Sequence, residues 1–230
     1  MVSFYATNAA AKKPVGIVQI VQQPCKNIEI YDNLINLFNR YGFAVCMRKR
    51  NINNDDVDCF KRAMHQEIKT LRYIKNKYKA PVFLFGWGDG GLIAQQMMTT
   101  DSLCDGGACV PSKFDMPGLR HNFTRAMLYF KKLSGREFKF QTARLNFIRK
   151  MQRDGEINKP CLIISAKDNM RAMNKTMGST LYNLYGNHNL DKLTLIMYPE
   201  TSNWQDLTPE STNIQQDVVD FINRVRYGMQ

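Results

Sequence analysis

The sequence has no long apolar run and comparatively few acidic residues. No stretch approaches the roughly 20 apolar residues that a membrane-spanning helix requires, and residues 1–13 lack an apolar block followed by a small-residue cleavage site. We therefore expect no transmembrane segment, no secretory signal and a cytoplasmic location. Asp and Glu number 20 against 32 Lys and Arg, so the net charge is +12. This excess predicts attraction to an anionic partner.

Histidine and cysteine are also sparse, with three and six copies respectively. Several cysteines lie inside apolar strand-like runs, as Cys46 and Cys161 do, and buried free thiols behave as small hydrophobic side chains. Cys104 and Cys109 have neither a second pair nor a nearby histidine, whereas a structural zinc ion takes four ligands. We predict free thiols, no metal and no cofactor.

Short apolar runs alternate with longer amphipathic ones along most of the chain. The pattern predicts strands at residues 15–21, 43–47, 82–85, 108–110, 161–165 and 193–197, and helices at 28–41, 57–78, 90–100 and 209–227. Strands that are buried on both faces and separated by helices indicate a parallel sheet between two helical layers. The predicted fold class is α/β, a three-layer αβα arrangement with a mostly parallel sheet of about six strands.

Residues 111–159 interrupt this alternation, so we interpret residues 1–230 as one domain with an inserted helical cap. Between residues 119 and 153 the cap has ten Lys or Arg, one acid and interleaved aromatic residues. In one interpretation the cap aromatics, which recur at helical spacing, pack onto the sheet and the charges face water. In the others the cap binds an anionic lipid or membrane surface, or it binds nucleic acid or an acidic protein. The candidate binding cations are Arg125, Lys131, Lys132, Arg136, Lys139, Arg149 and Lys150.

One strand-turn-helix pattern carries the clearest chemical signal. The apolar residues 82–85 are followed by Gly86-Trp87-Gly88-Asp89-Gly90 and then by a helical run. This is the setting of the G-x-S-x-G turn, whose central serine is a nucleophile. The central residue here is Gly88, which has no hydroxyl group to attack a carbonyl.

The chain resembles the α/β-hydrolase superfamily, and within it the monoacylglycerol lipases and lysophospholipases of the serine aminopeptidase S33 group. The resemblance covers about residues 15–226 and is carried by the segments 41–45, 84–94, 160–168 and 198–203. It implies an ester-hydrolase fold in which the family's first two strands are missing from this chain. It also implies triad positions at Gly88, Asp168 and Asn203, and an oxyanion-hole region at Gln23 and Asp89.

Two of these triad positions cannot perform the usual chemistry. In the family mechanism a serine attacks, a histidine takes its proton and an acid orients the histidine. Gly88 removes the nucleophile, and the Asn203 amide has no useful proton affinity near pH 7. None of His65, His121 and His188 follows the last strand. We predict a catalytically inactive pseudoenzyme that binds a ligand, a lipid or a partner.

Two alternatives stay open. The first is a residual or altered esterase or lysophospholipase-type hydrolase that uses Asp89 or a water molecule as its nucleophile. Asp89 is otherwise explained as the start of a helix, where a negative charge is favourable. The second is a basic structural or interaction protein that binds nucleic acid or acidic partners through the cap.

Overall fold

A seven-stranded sheet forms the centre of the molecule. The computed structural model describes residues 2–5, 13–22, 28–48, 59–100, 103–111, 135, 139, 142–144, 146–147, 159–166, 192–198 and 211–228. The strands are β1 (Val2–Tyr5), β2 (Gly16–Val21), β3 (Phe43–Arg48), β4 (Val82–Gly88), β5 (Gly106–Pro111), β6 (Cys161–Ala166) and β7 (Leu193–Tyr198). They lie in the order β1-β3-β2-β4-β5-β6-β7. Strands β2 to β7 are parallel, and β1 pairs antiparallel with β3.

Helices cover both faces of this sheet. They are α1 (Asp32–Arg40), which follows a 3-10 turn at Ile28–Tyr31, α2 (Cys59–Lys77), α3 (Asp89–Thr100) and α4 (Thr212–Arg226). Helices α2 and α3 pack on one face, and α1 and α4 pack on the other. The predicted three-layer α/β class with six parallel strands is therefore confirmed. No helix in the described ranges is both long and apolar enough to cross a bilayer.

The two faces are buried by alternate residues of the same strands. On β2, Ile17 and Val21 face the α2 and α3 layer, whereas Val18 and Ile20 face the α1 and α4 layer. Because helices cover both faces of the sheet, the strands are continuous apolar runs rather than runs in which apolar and polar residues alternate. On the α1 side the rings of Phe38, Phe43 and Phe83 pack edge to face, with centroids 5.9 and 6.1 Å apart.

The expectation that the family's first two strands are missing is wrong in part, because β1 occupies Val2–Tyr5. Its partners on β3 run from Arg48, opposite Val2, to Val45, opposite Tyr5. Four residues are too few to show a clear period in the sequence, although Val, Phe and Tyr favour strands. The strand is stabilised by its pairing with β3, which a local pattern does not reveal.

Four cysteines in the described part of the chain, Cys46, Cys104, Cys109 and Cys161, are free and buried. This confirms the prediction of free thiols at these positions. Burial, aided by the Glu67 carboxylate, raises the pKa of the Cys46 thiol from 9.0 to about 12. Burial and the neighbouring thiols also raise the pKa of Cys109. At neutral pH these groups are protonated and serve as packing atoms.

Candidate functional site

The turn between β4 and α3 is where the sequence predicts the nucleophile position. Strand β4 ends at Gly88 and α3 begins at Asp89. Gly88 has φ +60°, in the left-handed region that side-chain-bearing residues rarely adopt. The strand is longer than the predicted 82–85 because Gly86, Trp87 and Gly88 continue the ladder with β5. The apex of this bend is thus a residue without a side chain.

The two flanking glycines are fixed by close packing. A Cβ atom on Gly86 would lie 2.5 Å from the carbonyl oxygen of Gly90. A Cβ atom on Gly90 would lie 2.0 Å from the carbonyl oxygen of Val21, at the end of β2. Both distances are well inside van der Waals contact, so the G-x-x-x-G spacing is required by the backbone whether or not the turn carries out chemistry.

Asp89, the residue after the apex, forms a buried ion pair with the cap. Its Oδ1 accepts a hydrogen bond of 2.9 Å from Nε of Arg144, and the two side chains are only 9% and 8% exposed. Arg144 belongs to the helical residues 142–144 of the predicted cap. The carboxylate also lies at the N-terminus of α3, where the helix dipole favours negative charge. One Asp89 oxygen is therefore held by a guanidinium group in a dry environment.

The same cap segment makes a second contact with the body of the molecule. The ring of Phe147 stacks on Phe60 at the start of α2, with centroids 5.3 Å apart and planes 30° apart. Ala143 is buried in the same cluster. The described cap residues 142–144 and 146–147 therefore bridge the β4–α3 turn and α2. For Arg144, the interpretation that the cap charges face water is wrong, whereas Lys139 is exposed as that interpretation requires.

Most of the remaining predicted site residues lie outside the described residues, although the strands that precede two of them are described. Strand β6 ends two residues before Asp168, and β7 ends five residues before Asn203. Because these strands are parallel to β4, their carboxyl ends share the edge that holds Gly88. His65 is exposed on α2. The positions outside the described residues are Gln23, Asp168, Asn203, Arg125, Lys131, Lys132, Arg136, Arg149 and Lys150.

A buried polar pair between β2 and α2 was not predicted. Gln19 and Glu67 are both fully buried. Nε2 of Gln19 donates to Oε2 of Glu67 at 2.5 Å and to the backbone oxygen of Glu67 at 3.1 Å. The available signals were a glutamine inside the apolar run of β2 and a single acid within the basic helix α2. For Arg144 the available signal was its place between the apolar residues Ala143 and Phe147.

A separate groove of about 490 Å³ lies between β7 and α4. It is lined by Ile196, Asp217, Asp220, Asn223, Arg224 and Tyr227. Beside it the Tyr198 hydroxyl donates a short hydrogen bond to Asp217. Burial and this bond raise the pKa of Tyr198. No lining residue belongs to the β4–α3 turn, so the groove is a different feature from the candidate site.

The sequence matches no protein-family model and no curated protein sequence. The fold is similar to that of monoglyceride lipase from Saccharomyces cerevisiae in complex with a substrate analogue (TM-score 0.66, 13% identity, 100% of this chain and 91% of that chain). It is also similar to a lipase in its open form (0.66, 15%, 98% and 94%). A third similar structure is a thermostable carboxyl esterase from Bacillus coagulans in complex with glycerol (0.66, 14%, 98% and 94%). The chain therefore has the α/β-hydrolase fold that these lipases and esterases share.

Proposed function

We propose that this chain is a catalytically inactive relative of the monoacylglycerol lipases and lysophospholipases of the S33 group, acting in the cytoplasm by binding. The observation that carries the proposal is the conformation of Gly88. Gly88 has φ +60° and lies at the bend between β4 and α3, where these enzymes have the serine whose oxygen attacks the substrate. A glycine at this point keeps the bend and supplies no nucleophile.

The ion pair of Asp89 argues against the alternative of an altered hydrolase. A carboxylate nucleophile needs an oxygen that can reach the substrate. The Asp89 side chain is only 9% exposed, and its Oδ1 lies 2.9 Å from the Arg144 guanidinium. Positive charge at that distance stabilises the carboxylate and lowers its tendency to attack. The amide at Asn203 also leaves this route without the base that the family uses.

The proposed partner is anionic and binds to the cap. The net charge of +12 and the exposure of Lys139 support this assignment. The other cap cations that would take part are Arg125, Lys131, Lys132, Arg136, Arg149 and Lys150. An acidic protein is the alternative to an anionic lipid surface.

The test is turnover of p-nitrophenyl esters and monoacylglycerols by purified protein. We expect no hydrolysis above the buffer rate for the natural chain, and none for Gly88→Ser, because a serine alone lacks a base. The double variant G88S/N203H is the matched comparison, since it supplies both missing groups. Circular dichroism of each variant checks that the fold is intact.

Two results would contradict the proposal. Turnover by the natural chain that disappears in Asp89→Asn would identify Asp89 as the nucleophile of an altered hydrolase. Turnover that follows the protein through purification and survives both D89N and D168N would reveal a hydrolytic centre of another kind.

A further inference from the structure

The outward face of α2 is cationic along its whole length. Between residues 59 and 79 the sequence contains one acid, Glu67, and that side chain is fully buried. The exposed cations of the helix and of the turn after it are Lys61, Arg62, Lys69, Arg72, Lys77 and Lys79. The outward face of this helix therefore carries no carboxylate of its own.

This charge pattern is unfavourable for the helix by itself. Exposed helices usually place Glu and Lys four residues apart, so that opposite charges become neighbours. Here Lys69, Arg72 and Lys75 follow one another at three-residue spacing, which places like charges side by side. Lys75 pairs with Asp105 at 2.9 Å at the C-terminal end of the helix. A polyanion laid along this face would bring negative charge close to Lys61, Lys69 and Lys79.

An exposed aromatic ring lies within the cationic face. Tyr73 is 49% exposed and stands one helical turn from Lys69 and from Lys77. Nζ of Lys77 lies 5.5 Å from the Tyr73 ring centroid and 3.1 Å from its hydroxyl oxygen. Beside the helix, Arg48 at the end of β3 donates to the backbone oxygen of Gln66 at 3.4 Å, which extends the positive surface. Cations that surround an aromatic ring suit phosphates and a stacked base together.

The apolar side of α2 is not available to a membrane. Its residues Phe60, Met64, Leu71 and Ile74 are buried against the sheet and α3. A helix that binds a bilayer as an amphipathic element inserts such residues among the acyl chains. The outward face instead presents cations and one tyrosine. With a helical rise of 1.5 Å per residue, this row of side chains is about 28 Å long. A row of this form follows the phosphates of an extended strand.

We propose that the outward face of α2 binds single-stranded nucleic acid, with Lys61, Lys69 and Lys79 contacting phosphates and Tyr73 stacking on a base. The cations give affinity without sequence preference, because phosphates carry no sequence information. The ring adds stacking, which every base can supply. This surface is separate from the β4–α3 turn, so the proposal holds whether or not the turn is inactive.

The test measures binding of a fluorescent oligo-U strand of about 20 nucleotides by anisotropy, at about 50 and about 200 mM salt. The α2 variant is K61Q/K69Q/K79Q. The matched control is R40Q/R224Q/R226Q, which removes the same charge from α1 and α4 on the opposite layer. We expect the α2 variant to lose about tenfold or more in affinity, and its salt slope to fall by about 2. The control should stay within about twofold of the natural chain.

Tyr73 provides a second, independent readout. Tyr73→Ala should weaken binding at both salt concentrations, whereas Tyr73→Phe should retain it, because stacking needs the ring and not the hydroxyl. The proposal is overturned if the natural chain does not bind at low salt, or if both triple variants lose affinity equally. Binding to phosphatidylserine vesicles that exceeds binding to the oligonucleotide and is lost in K61Q/K69Q/K79Q would assign the α2 surface to a membrane and overturn the proposal as well.

Discussion

Among single residues, Asp89 and Arg144 form the contact that joins the β4–α3 turn to the cap. Both side chains are more than nine-tenths buried. Removing one partner of such a pair takes a close counter-ion away from the other charge in a dry site. We expect Asp89→Asn and Arg144→Met each to lower the free energy of unfolding by about 3–5 kcal/mol. The double variant should recover part of this loss. Urea unfolding measures all three.

The control for this cycle is Lys139→Met, which removes an exposed cation of the same insertion. Its free energy of unfolding should change by no more than about 0.5 kcal/mol. If the effects of D89N and R144M simply add, the two side chains do not stabilise each other, and the pair does not hold the cap to the turn.

Sequence reasoning located one half of this pair and missed the other. Asp89 was found because the glycine pattern fixes its place after the apex of the turn. Arg144 was counted only among the ten Lys and Arg of the cap, whose surroundings were left open, because the carboxylate that it contacts lies 55 residues away along the chain. Helical periodicity can indicate that a residue faces inward, but it does not identify the carboxylate that the residue meets.

At the scale of elements, α2 is joined to the sheet by the hydrogen bonds between Gln19 and Glu67. Gln19→Leu removes the donor and leaves the buried carboxylate poorly compensated, so we expect a loss of about 2–3 kcal/mol in unfolding free energy. In Q19L/E67L both polar groups are replaced by apolar ones of similar size, and stability should return close to the natural value. Thermal and urea unfolding of the two variants provide the measurement.

A destabilisation of Q19L/E67L larger than that of Q19L would contradict this account, since it would mean that the carboxylate stabilises α2 by other contacts. Glu67→Gln is a further control. It keeps a polar side chain of the same shape opposite Gln19, and we expect a smaller loss than in Q19L.

Element bounds followed the sequence where apolar periodicity was strong and departed from it elsewhere. The predicted helix at residues 57–78 is observed as Cys59–Lys77, because a long apolar stripe defines it. Strand β4 was predicted to end at Phe85, since glycine has low strand propensity. It continues to Gly88 because β5 supplies backbone partners. Such partners come from distant segments and leave no local trace in the sequence.

For the whole molecule, the order of strands and layers followed from the burial pattern. Continuous apolar strands separated by amphipathic helices have few arrangements other than a parallel sheet with two covered faces. The edge strand β1 was missed because its stability comes from the register with β3. The ion pair of the cap was not predicted, since it joins Arg144 to a carboxylate 55 residues away, whereas the burial of Phe147 agrees with the alternative in which the cap aromatics pack onto the sheet.

Stability of the whole fold should decrease at alkaline pH. The pKa of Cys46 rises from 9.0 in an unfolded chain to about 12 in the fold, chiefly because of burial. A raised pKa in the folded state gives stability that is complete below about pH 9 and is lost as pH rises toward about 12. The raised pKa of Tyr198 acts in the same direction at still higher pH. Urea unfolding between about pH 7.5 and 10.5 measures this decline.

Cys46→Ala tests the origin of the decline. The variant lacks the titrating thiol, so its unfolding free energy should fall less steeply above about pH 9. It starts from a lower value at neutral pH, because a small cavity replaces the sulfur. A slope identical to that of the natural chain would show that the thiol does not contribute.

The contact between Gly90 and the Val21 carbonyl has a consequence for how the molecule can respond to an occupant. A Cβ atom on Gly90 would lie only 2.0 Å from the Val21 carbonyl oxygen, so not even a methyl group fits between the start of α3 and the end of β2. The backbone next to the bend at Gly88 is therefore closely packed and leaves no space for an added group. An incoming molecule would therefore be accommodated more readily on the cap side, where the described residues Arg144 and Phe147 contact the turn and α2 through an ion pair and a ring stack.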